Sequence, residues 1–164
     1  MKSPNDTALE IVVGRLLKQC ACTLALAESC TGGLVSHRVT NVPGSSGYYQ
    51  GAVVAYSNEI KELVLQVQRD TLHRYGAVSE RTALEMARGV RRIFHADIGL
   101  SVTGIAGPGG GAPEKPVGLT YIALAAPDIE KAERHVWSRN RQENKARSAE
   151  AALGLLCRYL ESRS

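Results

Sequence analysis

Thr23-Leu24-Ala25-Leu26-Ala27-Glu28-Ser29-Cys30-Thr31-Gly32-Gly33-Leu34-Val35 is the stretch that decides how this chain folds. Thr23 to Ala27 is uncharged, largely apolar and of strand length, so it reads as a short buried strand. Small polar residues follow it. Thr31-Gly32-Gly33 then opens a segment in which Leu34, Val35 and Val39 recur at helical spacing. A strand feeding a helix through a glycine turn is the repeating unit of a sheet covered by helices.

The same grammar extends outward. Upstream, Leu9, Val12, Val13, Leu16 and Leu17 keep a helical period behind Asn5 and Asp6, which predict an N-cap. Downstream, Pro43 to Gly47 is a loop, and Gly51 to Tyr56 is a second strand. Ser57 or Asn58 caps a helix that turns Ile60, Leu63 and Val64 inward, and Ser79 caps a longer one ending near residue 95. Ile98 to Thr103 is a third strand, and a glycine- and proline-rich segment separates it from a fourth, Val117 to Ala125. Pro127-Asp128 turns the chain into a hairpin partner at Ala132 to Ser138, and Asn144 to Leu160 forms a closing helix. The pattern predicts a sheet covered on both faces, made mixed by one antiparallel pair in the terminal hairpin.

Composition narrows the class. At 164 residues, with no repeat or linker, the chain is the size of a single domain, 1–164. Residues are 44% hydrophobic and 22% charged, which excludes intrinsic disorder. No apolar run approaches the roughly 18 residues of a membrane span. Met1 to Asp6 leads into an amphipathic helix instead of a signal peptide, so no membrane association is expected. The net charge of +4 is spread along the chain with few aromatics, which argues against a nucleic-acid surface and favours a small anionic ligand. Cys20, Cys22, Cys30 and Cys157 have no zinc spacing, nor do His37, His73, His95 and His135, so no metal is expected. The thiols read as reduced residues of a cytoplasmic protein.

Three segments could carry chemistry. Gly107-Pro108-Gly109-Gly110-Gly111-Ala112 fits the dinucleotide pattern, but Pro113 and Pro116 prevent the helix that such a loop must feed. It is either a glycine-rich surface loop or a wall over a ligand site. In Ala27 to Gly33, Ser29, Cys30 and Thr31 are each candidate nucleophiles. The amides opening the following helix could hold an oxyanion, or the segment could be a helix cap alone. Tyr56-Ser57-Asn58-Glu59-Ile60-Lys61 places a lysine in the first turns of a helix, where it opposes the macrodipole. The same field, with burial, would lower its pKa and free the amine as a base; the alternative is a solvated lysine. Arg139, Arg141, Lys145 and Arg147 form either a solvated face or a fork onto phosphate.

Taken in order, Ala27 to Gly33, Pro43 to Ser46, Tyr56 to Lys61, Gly76 to Glu80, Thr103 to Gly110 and Glu114 to Gly118 resemble the C-terminal domain of the competence-damage-inducible CinA proteins. No segment resembles that family's other module, an N-terminal domain tied to ADP-ribose hydrolysis. The resemblance implies a three-layer α/β/α sandwich with a mixed, mostly parallel sheet. It also implies the activity of the family's stand-alone form, a nicotinamide-nucleotide amidohydrolase that converts nicotinamide mononucleotide and water to nicotinate mononucleotide and ammonia in pyridine nucleotide salvage.

Carried over by position, the nucleophile falls on Ser29, its base on Lys61, and Tyr56 beside them. Amides around Thr31, Gly32 and Gly33 would hold the oxyanion, and Thr103 and Gly104 would lie near the substrate. A Gly-Asp-Arg segment of the family reads Arg139-Asn140-Arg141 here, so Arg141 keeps the arginine with changed neighbours. The next basic position reads Lys145 in place of arginine, a point charge in place of a fork. No cofactor is implied. The expected partners are a nucleotide substrate and a second copy in a symmetric dimer. The alternative is a non-catalytic nucleotide-binding module with a regulatory or competence-related role.

Overall fold

β1 (Leu24–Glu28) is buried at every position because it is paired on both edges and covered on both faces. It runs parallel to β2 (Tyr49–Val54) on one side and to β3 (Ile98–Gly104) on the other. β4 (Leu119–Ala125) pairs antiparallel with β3, and β5 (Glu130–Val136) antiparallel with β4. The order is β2-β1-β3-β4-β5, in which four of the five strands share a direction and β4 alone is reversed. Antiparallel pairing therefore extends beyond the expected hairpin. The chain leaves β3 through the glycine-rich segment and returns without a crossover helix, so β4 must run back along β3. The computed structural model that shows this describes residues 8–163.

Alternate strand residues face opposite layers. Leu24, Leu26, Ile98, Leu100, Ile122 and Leu124 pack with residues of α1 (Leu9–Gln19), α2 (Leu34–Thr40) and α6 (Arg141–Glu161). Each such side chain contributes about 1.5–3 kcal/mol on burial. The other face is built from small residues, Ala25, Ala27, Gly99, Ser101, Ala123 and Ala125, and α5 (Glu80–Ile93) lies directly on it. Ser101 donates to the Ala83 carbonyl at 2.6 Å. A Cβ at Gly99 would stand 2.1 Å from the Ala87 carbonyl oxygen, so only glycine admits the helix this close. The three-layer arrangement thus has one thick and one thin interface.

Several boundaries differ from expectation. Asn5 and Asp6 lie outside the described residues, and α1 starts at Leu9 with Ala8 at its cap position. α3 (Asn58–Leu63) is capped by Ser57, which accepts from the Ile60 amide at 3.2 Å. Its inward face is not the expected one: Leu63 is 72% exposed, and Lys61, at 1%, is the buried side chain. α4 (Arg69–Tyr75) was not foreseen, because Leu72 is its one aliphatic residue and no side chain caps it. Ser79 caps α5 as expected. α6 begins at Arg141, ahead of Asn144, because Asn140 and Glu143 form a capping box.

The connection after β1 leads to β2 on one side, and the chain then crosses to β3 on the other. Such a switch point leaves a crevice between the carboxyl ends of the two strands. Among the described residues, no helix is long and apolar enough to cross a membrane.

Candidate active site

Ser29 stands at this crevice. β1 pairs Glu28 with Val102, and the Ser29 amide continues the ladder by donating to the Val102 carbonyl at 2.9 Å. Ser29 is thereby set beside Thr103, whose strand ends at Gly104. From the β2 side, the capped start of α3 turns Lys61 inward. Its Nζ lies 3.0 Å from Ser29 Oγ and donates to the Ala55 carbonyl at 2.8 Å. Burial pushes the lysine pKa down. An unprotonated amine placed so could accept the Ser29 hydroxyl proton through its lone pair.

The other candidate nucleophiles lack this arrangement. Burial raises the Cys30 thiol to about 12, so the thiolate is not formed near neutral pH. Thr31 is buried, and its hydroxyl has no hydrogen-bond partner among the described residues.

Glu28 was given no role on sequence grounds, yet it organises the turn. It is 1% exposed, and its carboxylate accepts from the amides of Gly33 (3.0 Å), Val35 (3.2 Å) and Ser36 (2.8 Å). The amides opening α2, expected to hold an oxyanion, are therefore occupied at Gly33 by the protein's own carboxylate. The Gly32 amide turns back to the Ser29 carbonyl at 3.1 Å. Thr31, Gly32 and Gly33 line no part of the cavity described next. The amides that donate to no other described residue are those of Thr31, one of the three expected, and of Cys30, one position earlier. The available signal was the absence of an acidic residue in the first turn of α2, which leaves its amides to an acid from outside.

A cavity of about 280 Å³ lies over Ser29, walled by Tyr56, Lys61, Thr103, Gly104, Arg141 and the glycine-rich loop at Gly107, Gly109 and Gly110. That loop is therefore a wall, and it is pinned in place. Arg141 Nη1 donates to the Gly107 carbonyl at 2.7 Å, Asn144 to the Ala106 carbonyl at 3.0 Å, and Lys115 to the Tyr75 carbonyl. Arg141 Nη2 also donates to the Tyr56 hydroxyl at 2.9 Å, so one guanidinium ties the loop to the tyrosine. Among the described residues, the lining carries two basic side chains, Lys61 and Arg141, and no carboxylate. Lys145 reaches the turn from outside, its Nζ 3.8 Å from where a Gly32 Cβ would stand. Arg139 and Arg147 do not line the cavity. Among the described residues, no group of three or more His, Cys, Asp or Glu is placed to hold a metal ion. A second groove of about 200 Å³, between the β4–β5 hairpin and the end of α6, is apolar and holds no such constellation.

These features define an α/β protein with a serine–lysine pair at the switch point of its sheet. Residues 6–160 match the family model of the CinA C-terminal domain, and the chain belongs to that family. A CinA-like protein of Desulforapulum autotrophicum is 53% identical over 155 residues, covering 94% of this chain and 37% of the relative. One of Thermotoga neapolitana is 48% identical over 159 residues, covering 97% and 39%. The chain thus spans under two-fifths of the length of the curated relatives it matches. Among solved structures, a CinA superfamily protein of Klebsiella pneumoniae superposes with a TM-score of 0.91 at 31% identity, covering 94% of this chain and 96% of that one. The competence/damage inducible protein of Agrobacterium tumefaciens gives 0.85 at 36%, with the same coverage.

Proposed function

We propose that this protein is an amidohydrolase that deamidates nicotinamide mononucleotide through an acyl-enzyme on Ser29. The observation that carries the reading is the buried Lys61 amine, 3.0 Å from Ser29 Oγ and, among the described residues, bonded otherwise only to the Ala55 carbonyl. Burial without a counterion favours the neutral amine, the form that can act as a base. Lys61 takes the hydroxyl proton as Ser29 Oγ bonds to the carboxamide carbon. The amide of Cys30, a residue of the cavity wall, faces the oxygen that becomes negative. Lys61 returns its proton to the nitrogen, the C–N bond breaks, and ammonia leaves. Water, deprotonated by the same amine, then attacks the ester; the C–Oγ bond breaks, Lys61 returns the proton to Ser29 Oγ, and nicotinate mononucleotide leaves. Tyr56 accepts from Arg141, so its hydroxyl is free to relay the Lys61 proton to the departing nitrogen, giving its own and taking that of Lys61. Arg141 holds only neutral oxygens, and its charge attracts the substrate phosphate.

The test is ammonia release from nicotinamide mononucleotide by the wild type and Ser29→Ala. The substitution is expected to lower turnover by at least about 10⁴-fold, the scale on which a catalytic serine is missed. Equal rates would overturn the reading. Calorimetric binding of the nucleotide without turnover would assign the non-catalytic module instead.

A further inference from the structure

We infer that Thr103 makes the site selective for a carboxamide, its side-chain oxygen accepting a hydrogen bond from the amide nitrogen of the substrate. The inference rests on the amidohydrolase reading above and identifies how that site would tell an amide from an ester or acid.

Thr103 is 1% exposed, and its Oγ1 donates to the Ala77 carbonyl at 2.7 Å. A carbonyl oxygen has no proton, so the one hydroxyl hydrogen of Thr103 is committed to it. Both partners border the cavity. Towards a ligand, Thr103 Oγ1 can therefore offer lone pairs alone. An unconstrained hydroxyl would rotate to serve either a donor or an acceptor; this one cannot.

The commitment is structural. Ala77 lies in Gly76-Ala77-Val78-Ser79-Glu80, a motif for which the catalytic steps have no use. The neighbouring Gly76 carbonyl accepts from Thr82 Oγ1 at 2.7 Å and from Ser79 Oγ at 3.2 Å, which fixes this turn against the start of α5. The turn thus holds the Ala77 carbonyl where it fixes the Thr103 proton.

Placement supplies the rest. Continuing the β1–β3 register sets Ser29 next to Thr103, on neighbouring strands roughly 4.8 Å apart. The Cys30 amide, Lys61 and Arg141 all present donors to the cavity, and Asn58, another acceptor on its wall, is exposed. A carboxamide has one acceptor and two N–H donors. Its oxygen would meet the Cys30 amide, and one N–H would meet Thr103. In the tetrahedral intermediate that bond leaves the nitrogen lone pair to take the proton from Lys61, after which the C–N bond breaks and ammonia departs. The carboxylate product has no N–H and would meet Thr103 lone pair to lone pair, which favours its release.

Steady-state kinetics on two substrates test this: nicotinamide mononucleotide and the methyl ester of nicotinate mononucleotide, which lacks the N–H. Thr103→Val is expected to lower kcat/KM for the amide by about 10- to 100-fold while the ester changes by less than about threefold. Thr103→Ser, which keeps the bond to Ala77, is expected to retain the amide rate within about threefold. Thr103→Ala takes the place of valine in the same comparison should that variant not fold. An equal fall on both substrates, or no fall on the amide, overturns the inference and leaves Thr103 a packing residue. Wild-type protein inert towards both substrates would instead defeat the amidohydrolase reading itself, and the inference with it.

Discussion

On the β4–β5 hairpin, Arg88 forks onto Glu130 at 2.7 and 2.6 Å, and Glu133 receives Arg158 at 2.8 Å with His135 at 3.3 Å. At the carboxyl ends of β1 and β3, Lys61 and Arg141 bond instead to carbonyl and hydroxyl oxygens, and no carboxylate lines their cavity. Glu28, the acid closest in sequence to Ser29, is turned away onto the amides of α2. One sheet therefore carries paired charges on its hairpin and, around its serine, basic groups that no carboxylate pairs, with Arg141 holding the positive charge. An anionic ligand can complete the second region, whereas the first is already complete.

The comparison is broken most severely at Lys61. Lys61→Met keeps much of the stem and removes the amine, and turnover is expected to fall by at least about 10³-fold. In the wild type, activity should decline as pH falls through a Lys61 pKa lying below the ordinary lysine range. Stability has a definite sign as well. Because burial lowers the folded-state pKa, the unfolded chain binds more protons between that value and the ordinary one, so wild-type stability rises with pH across this window. Thermal melts of both proteins over pH should show the methionine variant gaining most at low pH and losing that advantage towards alkaline pH. A constant offset would mean that Lys61 titrates as an ordinary lysine.

A smaller loss is expected from Glu28→Gln. The neutral amide can still accept, but it loses the charge that faces three backbone N–H groups. Stability should drop by about 1–3 kcal/mol, and each kcal/mol lowers Tm by about 2–4 °C at this chain length. Turnover should fall with it, because the same carboxylate fixes the turn that carries Ser29. An unchanged melt would show that the carboxylate does not hold α2.

Glu28 also marks where sequence reasoning stops. Strand, turn and helix are legible from the apolar run at Thr23 to Ala27 and the glycines at 32 and 33, and the covered sheet follows from alternating strands and helices, whereas the crevice needed the strand order. Which amides stayed free was not legible, because that depends on a side chain folding forward from the strand end. Lys61 shows the same limit in reverse. Helical periodicity assigned the inner face of α3 to Leu63, but the short helix presents the lysine to Ser29 and leaves the leucine in solvent. Periodicity reports where apolar area is best buried, and Lys61 is buried against that preference. The second antiparallel pair was missed for a topological reason: a long loop without a helix still returns the chain along its own edge.

The smallest effect is predicted for the adhesive region, and it is the control that sharpens the contrast. Arg88→Ala removes a bidentate ion pair that joins α5 to β5, yet both side chains are substantially exposed, at 48% and 40%. Water screens such a pair and the two side chains lose rotamer entropy in holding it, so its loss should cost about 0.2–1 kcal/mol. Thermal melts should show Tm falling by at most about 4 °C. Arg88 lines a different face from the cavity, and removing a charge already matched by Glu130 should leave ammonia release unchanged. A change in turnover comparable to that of Lys61→Met would mean that the two regions are coupled through α5, and the division of the sheet into an adhesive and a catalytic half would fail.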